Sequence, residues 1–416
     1  MRYSAWTILR NAVAGDRLWT PAWRDPAPKA RYDAIVIGGG GHGLATAYYL
    51  ARNHGLRDVA VLERGYIGGG NVGRNTTIVR ANYLLPGNSE FYSHSLRLWE
   101  GLERELNYNV MMSQRGILNL CHSDGQFDAF ARRGNAMRFQ GDDAELLDRE
   151  AVRAHAPFLD FRDARFPIRG GLLQRRAGTA RHDAVAWGFA RGADRLGVDI
   201  IQNCEVTGFR IENGVVRGVE TSRGAVAAPR VGMAVAGRSS QVGAMAGLRL
   251  PIESQVLQAF VTEGLKPLIP GVVTFGMGHF YISQSDKGGL VFGGDLDGYN
   301  SYAQRGNLPL VEHVMEAGMA LMPMIGKARV LRSWGGIVDM TMDGSPIMDR
   351  TPVQGLFFNG GWCYGGFKAV PGSGWCFAHL MATGASHPAA ARFRLDRFAT
   401  GHVIDEEATG AQPNLH

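Results

Sequence analysis

Gly38, Gly40 and Gly43 set the chemistry that the rest of the chain must serve. They belong to Gly38-Gly39-Gly40-Gly41-His42-Gly43, a G-x-G-x-x-G pattern between the β-branched run 34–37 and an amphipathic run at 44–53. Gly38 permits a tight strand-to-helix turn, Gly40 lets backbone approach a pyrophosphate, and Gly43 lets helix and strand pack closely. The helix N-terminus, with Gly41 and His42 beside it, offers free N–H groups and a positive dipole end to phosphates. A second apolar run, 59–62, ends on Glu63, 20 residues after Gly43, where a carboxylate can accept a hydrogen bond from a ribose 2′-OH. A glycine-rich turn alone carries little weight. Strand, helix, second strand and terminal acid together predict a bound dinucleotide, with NAD as admissible as a flavin at this point.

Other residues able to do chemistry follow. The loop from Gly68-Gly69-Gly70 to Gly73 carries Asn71, Arg74, Asn75, Thr76 and Thr77, enough hydrogen-bonding groups to fold over a cofactor. Arg80 ends the short apolar stretch after it. His182 stands just before an expected helix, flanked by Arg181 and by Asp183, a candidate N-cap; taken alone, such a histidine is a cap or a surface residue. Late in the chain Gly360-Gly361 and Gly365-Gly366 precede Lys368. A helix expected at 373–382, after Pro371-Gly372, offers a second N-terminus where negative charge is stabilised.

The elements that must position these groups show in the periodicity. Helices are expected at 89–106, within 126–160 and at 308–322. Strands are expected at 117–120, 199–201, 205–209, 215–219, 231–236 and 356–359. Asn213-Gly214 marks a hairpin. Residues 251–333 alternate strands (255–261, 280–283, 289–294) with loops, the character of a second, mainly antiparallel lobe.

Composition bounds the function. The chain has 416 residues, 45% hydrophobic and 20% charged, enough for two domains with a sizeable core. The net charge of +6 is spread out, in pairs such as Arg132-Arg133 and Arg175-Arg176. That argues against nucleic acid and for anionic substrates or phosphates. The four cysteines are far apart, which predicts a reducing, cytoplasmic setting and no metal site. No apolar run is long enough for a membrane span, and the first residues lack a signal peptide's apolar region. Residues 1–31, with Trp6, Leu9, Leu18, Trp19 and Trp23, form an extension that either lies on its own domain or straps another subunit.

Taken with Val235-Ala236-Gly237, Asp343-Gly344-Ser345-Pro346 and Gly366-Phe367-Lys368, the opening motif resembles the FAD-dependent amine and amino-acid oxidases of the D-amino-acid oxidase and sarcosine oxidase superfamily. Within it the chain is most similar to the β subunits of heterotetrameric sarcosine oxidases. GGGGHGLATAYYLARNHG, GGNVGRNTTIVRANY, SQRGILNL, AGTARHDAVAWGFAR, GVDIIQNCEVTGF, SWGGIVDMTMDGSPI and TGHVIDE carry that likeness over roughly 19–407. The resemblance implies an α/β plus α+β fold. A discontinuous Rossmann-like FAD-binding domain (32–110, 172–248 and 334–400) would adjoin a mainly antiparallel substrate domain (111–171 and 249–333), with a tail at 401–416. It implies noncovalent FAD, since 335–342 lacks the cysteine that tethers FAD in monomeric relatives. The FAD contacts carry over to Gly41, His42, Glu63, Asn71, Thr76, Ile78, Val206, Gly366 and Lys368. It also implies an FMN linked covalently to His182, with Arg181 beside it and Arg175 and Arg176 near the phosphate. Sarcosine is then oxidised at FAD, held by Lys368 and Arg80 under Tyr281, and electrons pass through FMN to O2. NAD and tetrahydrofolate belong to the partner α subunit, and γ and δ subunits complete the assembly. Two positions depart from close relatives: Arg181 replaces a lysine and Cys363 a glycine. The alternatives are a single-flavin oxidase or dehydrogenase of dimethylglycine, glycine or D-amino acids, and a flavin-bearing subunit that only relays electrons.

Overall fold

The strand Ala34–Ile37 is buried on both faces, as its uninterrupted β-branched run requires, and lies inside a six-stranded sheet. The order is Ile347–Arg350, Leu356–Gly360, Val231–Met233, Ala34–Ile37, Val59–Leu62 and Asp199–Ile201, parallel except for the first pair. The computed structural model describes residues 4–15, 17–18, 21–162 and 165–406; Trp19 and residues 407–416, part of the expected tail, lie outside them.

The helices are α1 (Ala5–Ala14), α2 (Gly41–His54), α3 (Asn88–Leu106), α4 (Asp124–Phe139), α5 (Arg149–His155), α6 (His182–Arg195), α7 (Ser239–Met245), α8 (Leu308–Leu321), α9 (Val370–Thr383) and α10 (Arg397–Thr400). α2, α3, α6 and α9 bury one contiguous core against the parallel sheet, including Leu44, Phe91, Trp99, Phe189 and Phe377. α2 and α9 approach closely because both are small at the crossing: a Cβ on Gly374 would stand 2.4 Å from that of Ala45.

An eight-stranded sheet forms the second layer, in the order Val330–Met340, Glu253–Gly264, Gly289–Leu296, Phe280–Gln284, Val272–Phe275, Ile117–Cys121, Gly170–Gln174 and Glu145–Asp148. All its pairs are antiparallel except Val272–Phe275 with Ile117–Cys121. The mixed architecture expected from sequence, a parallel sheet with helices and a mainly antiparallel lobe, is thus present. The Asn213-Gly214 hairpin is also present, both residues having positive φ as a type I′ turn needs.

Several expectations are corrected. Residues 126–160 are not all helical: Glu145–Asp148 is an edge strand before α5. The boundaries at 171/172 and 333/334 fall inside the strands Gly170–Gln174 and Val330–Met340. The glycines of Gly170–Gln174 admit close neighbours, and a Cβ on Gly170 would meet the Leu147 carbonyl at 2.5 Å. The strand 231–236 stops at Met233, and Ala236 has φ +47°. The described part of the tail is docked rather than trailing. The buried Arg397–Asp343 pair, bidentate at 2.8 and 2.9 Å, sits beneath it, and Asp343 also accepts from the Ile404 N–H. Among the described residues no helix is long and apolar enough to cross a membrane.

Candidate active site

The turn into α2 is built as its glycines suggest. Gly38 has φ +111°, and a Cβ there would lie 2.4 Å from the Ala234 carbonyl oxygen. A Cβ on Gly43 would lie 1.9 Å from the Gly38 carbonyl, so helix and strand meet only through glycine. Glu63 closes the turn: one carboxylate oxygen accepts from the Gly39 N–H and the other from the Gly65 N–H, each at 2.8 Å.

A cavity of about 970 Å³ opens from this turn toward the eight-stranded sheet. Gly40, Gly41 and His42 line it from α2, and Asn71, Thr76, Ile78 and Arg80 from the following segment. Tyr281 lines it from the antiparallel sheet, and Gly366 and Lys368 from the segment before α9. The structure therefore brings ten of the sequence-predicted residues to one space.

Each is held by a definable contact. Asn71 pairs with the backbone of Ile337 through both its amide and its oxygen, and Trp334 Nε1 donates to the Arg74 carbonyl, so the glycine-rich loop is stitched to Val330–Met340. Arg80 donates to Asn82 Oδ1, and its guanidinium lies 4.8 Å from the Tyr83 ring centroid. Burial pushes the Tyr281 hydroxyl up to about 12, against a hydrogen bond with Thr76. Lys368 is buried with its Nζ donating to the Tyr364 carbonyl, and burial with the nearby charge of Arg80 drives its pKa well below the ordinary lysine range. Its own carbonyl accepts from Ser95 Oγ and Trp99 Nε1, fixing the segment on α3.

His42 is more than a filler of the turn. Its Nε2 lies 2.9 Å from the Gly366 carbonyl, an acceptor, so Nε2 carries the proton. Nδ1 must then accept from Ser373 Oγ at 2.6 Å, while that oxygen accepts from Asn359 Nδ2 and Asn359 Oδ1 accepts from Trp362 Nε1. Burial lowers the His42 pKa to about 4, so the ring is neutral. This chain ties α2 to α9 and to the Lys368 segment. Sequence reasoning missed it; the polar Asn359 ending the apolar run Leu356-Phe357-Phe358 was its one signal. Also missed were Asp339, whose carboxylate accepts from the Gly361 N–H and is pushed up to about 6 by burial, and Arg133, both lining the cavity.

The remaining expected residues lie elsewhere. Gly38, Gly43 and Glu63 form the turn behind the cavity, and Val206 is buried at the start of Val206–Glu212. His182 does not precede a helix; it is the first residue of α6, Arg181 is the N-cap residue, and Asp183 lies inside the first turn. Arg181 is paired with Asp183 at 2.8 Å. Among the described residues the buried His182 Nδ1 has no hydrogen-bond partner, the Asp183 carboxylate standing 3.9 Å away, and burial lowers the ring's pKa. Arg175 and Arg176 are paired with Glu145 and Glu100. The last long helix starts at Val370, so Gly372 and Ser373 lie within its first turn rather than before it. Cys363 has φ +47° and a buried thiol pushed up to about 12. All four cysteines are free, and no cluster able to hold a metal occurs among the described residues.

The model of the FAD dependent oxidoreductase family matches residues 33–380. The chain belongs to that family. This FAD-dependent oxidoreductase is 71% identical over 416 residues, all of both chains, to the sarcosine oxidase subunit beta of Rhizobium meliloti (strain 1021). It is 50% identical over 405 residues to that of Rhodobacter capsulatus, covering 97% of this chain and 98% of the relative. Among solved structures, L-proline dehydrogenase from P. horikoshii superposes with TM-score 0.84 at 26% identity, over 90% of this chain and 99% of that one. Glycine oxidase from Geobacillus kaustophilus shares the fold, with TM-score 0.79 at 23% identity over 89% and 99%. The residues present fit the cofactor of a FAD-dependent oxidoreductase. A Cβ on Gly40 would meet nothing within 4 Å, so the backbone faces open space just where the helix N-terminus points its N–H groups.

Proposed function

We propose that the chain is the flavin-bearing β subunit of a heterotetrameric sarcosine oxidase, acting with α, γ and δ subunits on sarcosine. The observation that carries this is the full-length 71% identity to a sarcosine oxidase β subunit. The cavity supports it: Arg80 and Lys368, two cations suited to one small carboxylate, line it with the turn of α2. The net reaction is sarcosine, O2 and water to glycine, formaldehyde and hydrogen peroxide, with formaldehyde replaced by methylenetetrahydrofolate when the α subunit supplies tetrahydrofolate beside its NAD.

Gly38, Gly40, Gly41, His42, Gly43, Glu63, Asn71, Thr76, Ile78, Val206, Gly366 and Lys368 would hold noncovalent FAD, and His182 with Arg181 a covalent FMN. The two flavins supply acceptance of a hydride equivalent from the N-methyl carbon and passage of its electrons to O2. The orphaned Nδ1 of His182 fits a residue meant for a further bond. What the chain itself does is orient and desolvate. Arg80 and Lys368 take the substrate carboxylate, and an anion there restores the proton that burial strips from Lys368. Tyr281 closes the wall above, held by Thr76. The His42–Ser373–Asn359–Trp362 chain keeps the Lys368 segment registered on the α2 turn.

The test is anaerobic mixing of the purified complex with sarcosine. Rapid bleaching of the FAD absorbance is expected. A complex whose flavin stays oxidised with sarcosine but reduces with dimethylglycine, glycine or a D-amino acid would overturn the reading in favour of the single-flavin alternative. A complex reduced by none of them would mark the chain as an electron relay.

A further inference from the structure

Beyond Arg80 and Lys368 the cavity lining carries two further cations, Arg74, whose guanidinium donates to the Gly69 and Gly70 carbonyls, and Arg133. Arg133 lies on α4 and lines the cavity together with Gln126, Phe130, Arg80 and Lys368. Among the described residues its guanidinium has no hydrogen-bonded or ion-paired partner; the Phe130 ring lies under it, 5.8 Å to the centroid. Burial pushes its pKa down, the charge of Glu406 offsets part of this, and the like charge of Arg80 adds to it. The Glu406 carboxylate accepts from the N–H groups of Leu84 and Leu85. Of the acids that line the cavity, Asp295 is paired with His313 at 2.6 Å and Asp339 accepts from Gly361; Asp405 reaches the cavity too. A half-buried guanidinium with five donors facing a cavity and no acceptor of its own is favoured by the arrival of an anion.

We propose that Arg133 makes the α4 end of the cavity a second anion-binding position, so that the site takes small secondary amines bearing two carboxylates as well as monocarboxylates. This rests on the amine-oxidising reading of the same site. A single carboxylate is satisfied by Arg80 and Lys368; a second one, carried on the other nitrogen substituent, would meet Arg133. Arg133 is then a specificity-determining residue, because a site built with a charged donor discriminates strongly for ligands that pair it.

The test compares three ligands on the holo complex by perturbation of the flavin spectrum and by competition with sarcosine. They are sarcosine, N-propylglycine, and iminodiacetate, in which a carboxylate takes the place of the last two carbons of the propyl chain. Arg133→Met is expected to weaken iminodiacetate by roughly tenfold or more, the scale of one lost charge-assisted pair, while sarcosine and N-propylglycine shift by less than about twofold. Arg133→Lys should restore part of the iminodiacetate affinity. Flavin content and circular dichroism of each variant report folding. Equal shifts for all three ligands, or no iminodiacetate binding where N-propylglycine binds, would overturn the proposal. If sarcosine itself fails to reduce the wild-type flavin, the reading of the site falls first; if sarcosine reduces it normally and iminodiacetate is indifferent to Arg133, only the second position falls.

Discussion

At the scale of single residues, Lys368 and Cys363 make opposite use of burial. Desolvation acts against the charged form of both, so Lys368 is primed to gain from an anion and Cys363 to stay a thiol. Replacing Lys368 by Met removes a charged hydrogen-bond donor, and kcat/KM for sarcosine is expected to fall by about 10- to 150-fold, the equivalent of roughly 1.5–3 kcal/mol. Stopped-flow flavin reduction measures this, and an unchanged rate would take the carboxylate away from Lys368. The Cys363 thiol, buried and donating to the Gly361 carbonyl, should resist iodoacetamide at neutral pH while the protein is folded. Mass spectrometry of the native complex reads it; alkylation of Cys363 at the rate of a free thiol would contradict the burial. Lys368 and Arg80 were legible in the sequence only through resemblance, since nothing in their spacing brings residues nearly 290 positions apart together. Arg133 was hidden for the opposite reason. It stands in an Arg-Arg pair on an outer helix, and its turn toward the cavity is decided by packing.

At the scale of elements, the α2 turn was legible because Gly38 and Gly43 are demanded by local sterics, with backbone oxygens at 2.4 and 1.9 Å from any added Cβ. Its links to α9 were not, because the His42 chain joins residues about 330 positions apart. The strands Glu145–Asp148, Gly170–Gln174 and Val330–Met340 were missed or cut for a related reason: their glycines and charges look like breakers, and long-range pairing overrides local preference. The element-spanning histidine yields a pH prediction. An ordinary histidine at 6.5 falls to about 4 at His42 on folding. The unfolded chain therefore takes the proton first, and stability is lost as pH falls from 6.5 toward 4. His94 on α3, also lowered to about 4 and 5.5 Å from the ring of His387, acts in the same direction. Asp339 opposes them: raised from 3.8 to about 6, it costs stability as pH rises through that window. Urea unfolding between pH 4 and 6.5 should show His42→Gln flattening the loss, by up to roughly 3 kcal/mol at the acid end, and Asp339→Asn steepening it. A slope indifferent to His42 would mean that its ring is hydrated rather than sealed between α2 and α9.

At the scale of the whole molecule, the two proposed flavin positions are structurally separate. The FAD elements surround the turn of α2 and the cavity, whereas His182 opens α6 and lies outside the cavity lining. α1 adds a third surface: none of its residues is buried, and Trp6, Ile8, Leu9 and Val13 are all exposed, whereas the later part of the extension lies on its own domain, with Trp23 against the core and Arg24 paired with Asp194 at 2.8 Å. Separation of the flavin positions predicts a double dissociation. Glu63 holds the Gly39 and Gly65 N–H groups and is the acid proposed to meet the ribose, so Glu63→Gln removes the charge and replaces one of the two acceptor oxygens by an NH2 group that cannot accept from its backbone N–H. Its FAD should bind more weakly, by about tenfold, the scale of one charge-assisted hydrogen bond, while colour linked to His182 persists. His182→Ala should do the reverse, leaving FAD affinity near wild type. Acid precipitation separates the two pools, because noncovalent flavin goes to the supernatant and linked flavin stays in the pellet. Wild type should give colour in both, His182→Ala a colourless pellet, and Glu63→Gln a coloured pellet with a supernatant that is depleted after dialysis. A colourless wild-type pellet would remove the second flavin from this chain and leave a single-flavin oxidase. Depletion of both pools by Glu63→Gln alone would show that the sites fold as one, contrary to their placement on different helices.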